Sequence, residues 1–163
     1  MTTQSDLDRI SLQESTLRFP RFDEATAWAL GSRLRTLAVE RSLPVVIDVR
    51  RFGQPLFYAA LPGTTPDNPE WVRRKSNLTA RFLRSSYAIG ISLQLAGSTL
   101  TEKYGLSATD FVSHGGCFPI HVIHAGVLGS VTVSGLPQRQ DHELVVEALC
   151  LELGHDYSTL RLD

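Results

Sequence analysis

Apolar positions recur at helical spacing through Ala27, Leu30, Leu34 and Leu37, and the same spacing returns through Trp71, Leu78 and Phe82. Asp23 supplies an N-cap ahead of the first of these helices, and Pro44 stops it near Ser42. The second begins near Pro69, after the turn-rich loop Pro62-Gly-Thr-Thr-Pro-Asp-Asn-Pro69. Residues Asp6 to Glu14 fit a shorter helix, and Thr16 to Phe22 reads as an irregular strand.

Elsewhere the period is two. Val45 to Val49 is a strand-sized apolar run, Phe52-Gly53 a tight turn and Pro55 to Leu61 the returning strand, which together predict a hairpin. Farther on, Val127, Gly129, Val131 and Val133 alternate with Leu128, Ser130, Thr132 and Ser134, giving a strand with unlike faces. A turn near His124-Ala-Gly126 joins it to a preceding strand in a second hairpin. Tyr87, Ile89, Ile91, Leu93 and Leu95 also alternate, but buried helices carry such runs too, and Ser86 to Leu95 is read as helix. A short helix follows around Leu100 to Tyr104, and a last one starts between Pro137 and Asp141 and stops at Gly154. Helix, hairpin, helices, hairpin, helix predicts one α+β domain on an antiparallel sheet. No helix opens directly behind Gly115-Gly116 or Gly126-Val-Leu-Gly129, so neither is a phosphate loop or a dinucleotide fingerprint.

Composition narrows the partners more than the fold. The chain of 163 residues carries 16 Lys and Arg against 17 Asp and Glu, a net charge of -1, which argues against attraction to nucleic acid or anionic lipid. No apolar run is long enough to span a bilayer, and the polar, acidic start lacks the layout of a secretion signal. Two cysteines, Cys117 and Cys150, do not form a disulfide framework, and a cytoplasmic home with reduced thiols is expected.

Candidate chemistry is concentrated between His114 and His142. Three histidines (His114, His121, His124), Cys117 and the pair Gly115-Gly116 fall within eleven residues. Imidazole ligates metals readily, yet no carboxylate or second cysteine stands at a zinc spacing, so no metal is expected and His121 and His124 read as surface or turn residues. Cys117 suggests a nucleophile, but a lone cysteine among Gly, Phe and Pro reads more readily as a small buried hydrophobe. Cys150 belongs to the core. Asp141 is a helix cap by position, and His142 beside it stays open as a site residue because adjacent helical residues do not face one another. No serine has an acid–base partner at a catalytic spacing.

The second long helix holds Arg73, Arg74, Lys75, Arg81 and Arg84 against Asp67 and Glu70, a surplus of three positive charges. Lys75 shares the stripe of Trp71, Leu78 and Phe82, so its ammonium either reaches solvent or faces a polar cavity. In the second case it meets the carboxylate or phosphate of a small anionic ligand. Otherwise the basic residues form salt bridges between subunits or a solvated face.

Several segments resemble a known family. Val45-Val-Ile-Asp-Val-Arg-Arg-Phe-Gly-Gln-Pro-Leu-Phe57 is similar to the opening hairpin of the GlcG/HbpS-like haem-degrading domain, and Arg73-Arg-Lys75 to its lysine-bearing helix. Gly115-Gly-Cys-Phe-Pro-Ile120, Gly126-Val-Leu-Gly-Ser-Val-Thr-Val-Ser-Gly135 and Asp141-His142 resemble its glycine-rich signature, in the wording of a bacterial and fungal UPF-type branch. The resemblance spans roughly Ala25 to Leu153. It implies a profilin-like antiparallel sheet flanked by helices and assembly into homo-oligomers. Some members bind haem or cobalamin-related tetrapyrroles, and some are linked to glycolate use or redox sensing. Haem is supplied as a candidate by the resemblance alone, with no haem ligand carried onto a named position. The expectation is a cytoplasmic homo-oligomer with a small-ligand site at Lys75, His114, Gly115, Gly116 and His142. The other class open to this sequence is a non-enzymatic adaptor acting through protein contacts.

Overall fold

The computed structural model describes residues 3–163. Its first helix, α1 (Gln4–Thr16), starts earlier than the pattern predicted, because Thr3 and Asp6 form a reciprocal capping box. Then come β1 (Arg18–Phe19), α2 (Glu24–Glu40, capped by Asp23), the hairpin β2 (Val46–Arg51) and β3 (Gln54–Ala60), and α3 (Asp67–Phe82). The ambiguous segment is a helix, α4 (Ser86–Leu95), whose start is fixed by the Ser85 side chain accepting from Ala88 N–H. The short α5 (Leu100–Tyr104), the hairpin β4 (Cys117–Val122) and β5 (Gly126–Ser134), and α6 (Gln138–Leu153) follow, and a last turn, α7 (Tyr157–Leu160), had no sequence signal.

The five strands lie in the order β1-β4-β5-β2-β3. Both hairpins and the central β2–β5 pairing are antiparallel, but β1 runs parallel to β4, pairing Arg18 with His121, so the sheet is mixed. The expected α+β domain on an antiparallel sheet is borne out, and its one departure is this two-residue parallel pair at the edge. Two residues are too few to carry a strand period, and β1 pairs only because α1 and α2 deliver it to that edge.

Alternation sorts the strands into two unlike faces. Ile47, Val49, Phe118, Val131 and Val133 merge with Ala27, Leu30 and Leu34 of α2 and Leu144, Ala148 and Leu149 of α6 into the main core. The register puts Asp48 opposite Thr132, Cys117 opposite Thr132, and Arg50 opposite Ser130 on the other face. There α3 covers β5 and β4, and Lys75, Ser76 and Thr79 are buried with Asp48, Ser130, Thr132 and Ser134. The layer beneath α3 is thus polar and dry.

Candidate functional site

Helical spacing puts Trp71 and Lys75 one turn apart on α3, facing the end of β5 and the first turn of α6. Lys75 is only 2% exposed. Its Nζ donates to Asp141 Oδ2 at 3.0 Å and to the Val133 carbonyl at 3.1 Å, which leaves one ammonium N–H uncommitted. The other Asp141 oxygen, Oδ1, accepts from Leu136 N–H at 2.9 Å. Asp141 therefore ties the β5–α6 connection to α3 and does not cap its own helix. Burial raises its pKa, opposed by Lys75 and the backbone N–H groups.

His114, exposed to solvent, lines the hollow bounded by these groups. Its ring stacks on Trp71 with centroids 5.2 Å apart, and the Arg74 guanidinium lies 4.5 Å from the Trp71 centroid. Desolvation, with help from Lys75 and Arg74, lowers the His114 pKa, which favours the neutral imidazole. Neither ring nitrogen has a hydrogen-bond partner among the described residues. The hollow holds about 180 Å³, with Asn68, Trp71, Gln138 and Asp141 in its walls. His114 also lines a second hollow of about 330 Å³, whose walls mix Leu93, Leu100, Phe111 and Val112 with Gln94, Ser98, Thr99 and Thr101. His114 is common to both.

The structure brings Lys75 and His114 together, but it gives the other expected site residues different work. Gly115 and Gly116 are buried. A Cβ on Gly116, whose φ is +128°, would stand 2.4 Å from the Val133 oxygen and 2.7 Å from Lys75 Nζ, and one on Gly115 would stand 2.4 Å from the Gln138 oxygen. The close approach these glycines permit is to the protein itself. The Gly115 N–H is also taken, donating to Gln138 Oε1 at 3.1 Å.

His142 turns the other way, off the far side of α6. It is fully buried against Tyr87 and Phe118. Gln13 donates its amide to the Leu160 carbonyl at 2.8 Å, so its Oε1 is the acceptor for His142 Nε2–H, also at 2.8 Å. Nδ1 is left without a partner, and burial pushes the pKa down to about 3. His142 is a neutral pin between α1, α6 and the C-terminal turn, and it is not in the hollow.

The remaining candidates are quiet. Cys117 is fully buried among Thr79, Ser130 and Thr132, and desolvation raises its thiol pKa, which opposes thiolate formation. Cys150 lies in the main core with its thiol pushed up to about 11. His121 is half-buried on β4, and His124 holds a left-handed turn position at φ 66°. Much of the positive surplus of α3 is spent internally: Arg73 pairs with Glu70 and Asp110, and Arg84 with Glu14. No cluster of three metal-ligating side chains occurs among the described residues. The sequence reading missed Gln138, Asn68 and the pairing role of Asp141. For Asp141, an acid entering a helix that also carries a buried lysine partner was not a local signal, because Lys75 is 66 residues away.

Comparison with known proteins places this geometry among relatives. A family model described as "Haem degrading protein HbpS-like" matches residues 22–150. A "UPF0303 protein" of Burkholderia mallei is 65% identical over 157 residues, covering 96% of this chain and 95% of the relative. Another from Acidobacterium capsulatum is 63% identical over 162 residues, covering 99% and 98%. Among solved structures, the Ybr137w protein superposes with a TM-score of 0.83 at 28% identity, over 89% of this chain and 86% of its own. HbpS gives 0.63 at 20% identity, over 83% of this chain and 92% of its own. PduOC, solved as a haem complex, gives 0.66 at 18% identity, over 79% and 93%. At such identities the last two share the fold alone.

Proposed function

This chain belongs to the HbpS-like haem degrading family, and on that premise we propose that it is a small-ligand-binding protein, working as a homo-oligomer, whose site is the pair of hollows that meet at His114. The observation that carries the reading is a solvent-facing imidazole, braced on Trp71, with no protein partner at either ring nitrogen and lining both hollows. The polar hollow alone, at about 180 Å³, is smaller than the roughly 300–1,000 Å³ usual for ligand pockets, whereas the second, at about 330 Å³, falls within that range.

A flat ligand with an apolar body and a polar arm suits this division. Haem meets the description, and the donor set fits it. His114 offers a ring nitrogen, Leu93, Leu100 and Phe111 offer an apolar wall, and the uncommitted Lys75 N–H and Gln138 offer hydrogen bonds to a propionate. Bound haem would supply a redox-active iron. The chain's own residues bind and orient: Asp141 fixes the Lys75 ammonium, and Trp71 fixes the His114 ring. Since Asp141 already balances Lys75, the arm is recognised by hydrogen bonding more than by net charge.

Self-association is supported by β3. It is an edge strand without a charged residue, shielded only by Pro55 near its start and a register shift at Val49/Arg50. Trp28, 64% exposed, stands beside it against Phe57. No described helix is long and apolar enough to cross a membrane, and two unpaired cysteines suit a cytoplasmic setting. Native mass spectrometry of the protein as isolated tests the reading. The expected result is an oligomer carrying added mass in the wild type and none in His114→Ala. A wild-type monomer without added mass, and without uptake of haem when it is supplied, would overturn it.

A further inference from the structure

The other end of α3 carries a separate cavity of about 200 Å³, and Arg50 is its one charged lining residue. The buried Asp48 carboxylate grips the guanidinium through Nε at 2.7 Å and Nη2 at 2.8 Å. That bidentate hold fixes the plane of the group and leaves Nη1 without a partner among the described residues. Ser76 and Ser130, both buried, add hydroxyls to the floor, while Phe52, Leu83 and Leu128 supply an apolar rim.

Phe52 and Leu83 break the local rules of their own elements. Phe52, at φ 51°, opens a two-residue turn with Gly53 at φ 80°, where Asn or Gly is the ordinary choice. Leu83 ends α3 at φ 57°, a place usually held by glycine. Large side chains are disfavoured in left-handed backbone, yet these two are 78% and 55% exposed. Each adds strain and also leaves apolar surface in water. Both meet at the rim of one cavity, and residues that violate local preference together mark a site in preference to packing.

We propose that this cavity binds a small amphipathic carboxylate, a monocarboxylic acid with an aliphatic or aromatic tail. The carboxylate receives Arg50 Nη1–H, and the tail lies between Phe52, Leu83 and Leu128. Charge selects the acid: Asp48 lies behind the guanidinium and does not line the cavity, so the exposed edge of the site is cationic. The other ionic site on α3 differs, because there the aspartate Asp141 lines the hollow beside its lysine.

Phenylacetate and its shape match 2-phenylethanol, titrated into the isotopically labelled protein, test this directly. Phenylacetate is expected to give saturable shifts at the amides of Gly53, Ala80 and Gly129, with the alcohol about tenfold weaker. Phe52→Gly and Leu83→Gly are expected to keep or raise the Tm, since glycine relieves left-handed strain, while weakening phenylacetate about tenfold. The proposal fails if those amides do not shift, or if alcohol and acid bind alike. It also fails if the shifts fall at Gly135 and Gln138, or if the glycine variants lose stability. A change of subunit number in Phe52→Gly with phenylacetate binding intact would assign the rim to contact between copies and overturn it too.

Discussion

Beneath α2 and α6 the sheet presents Ile47, Val49, Phe118, Val131 and Val133, and beneath α3 it presents Asp48, Cys117, Ser130, Thr132 and Ser134. Both sides are buried, but by different means. The apolar side needs only contact and dehydration. The polar side is held by an ion pair at each end, Lys75 with Asp141 and Arg50 with Asp48, while the Thr79 and Thr132 hydroxyls in its middle have only the weakly bonding Cys117 thiol beside them. The hollow at His114 and the cavity at Arg50 lie at those two ends, along α3. One face carries stability, and the other exchanges some of it for fixed charges that border open space.

The sharpest way to break this contrast is to remove one charge. Asp141→Ala is expected to cost about 3–5 kcal/mol in urea denaturation, because Lys75 is left charged and buried. Lys75→Met combined with Asp141→Leu should recover most of that loss. On the apolar side Phe118→Ala should cost a similar ~3–5 kcal/mol, with no second substitution of charge type restoring it. Equal losses in the single and double charge variants would mean the pair is not coupled.

His142 brings a titratable ring to the apolar side, and its effect is expected to be smaller. Its folded pKa is about 3 against an ordinary 6.5. Below the ordinary value the unfolded chain takes up a proton that the folded protein refuses, so stability falls as pH drops through that window and is flat above it. Between about pH 7 and pH 5 the loss from this group is roughly 2 kcal/mol. His142→Phe should remove that part of the slope, read as the difference between wild-type and variant denaturation at the two pH values. The smallest effect is a gain. Thr132→Val replaces a buried hydroxyl whose nearest hydrogen-bonding group is the Cys117 thiol, a weak partner, with a methyl of the same shape, and about 1 kcal/mol of added stability is expected. A loss there would mean the bond to Cys117 is stronger than a thiol ordinarily makes.

How much of this was legible depended on whether a residue's partner was near in sequence. The Ser130, Thr132, Ser134 row showed as a period of two, although nothing local said that a helix would bury it. The stripe of Trp71, Lys75 and Leu78 pointed Lys75 inward, and His114 stood out beside its glycines. The segment α4 was read as helix and is one, but its pattern was ambiguous because both its sides are covered: Tyr87, Ala88 and Ile91 pack with Ile10 and Leu162, while Ile89 and Leu93 pack with Leu78 and Leu106. A helix buried all round has no polar face to set its period. Gly115 and Gly116, expected in the ligand site, are points of close approach to the protein itself, the approaching atoms belonging to Lys75, Val133 and Gln138. His142 could not be assigned from sequence at all, since its partner Gln13 is 129 residues away.

The central claim is that His114 and the Lys75 end of α3 border a single ligand site. Haem titration followed at the Soret band, with wild type, His114→Ala and Gln138→Ala side by side, tests it most directly. The account predicts a saturable band shift in the wild type, its loss in His114→Ala and a weaker affinity in Gln138→Ala. A shift of equal size and affinity in all three proteins would contradict it.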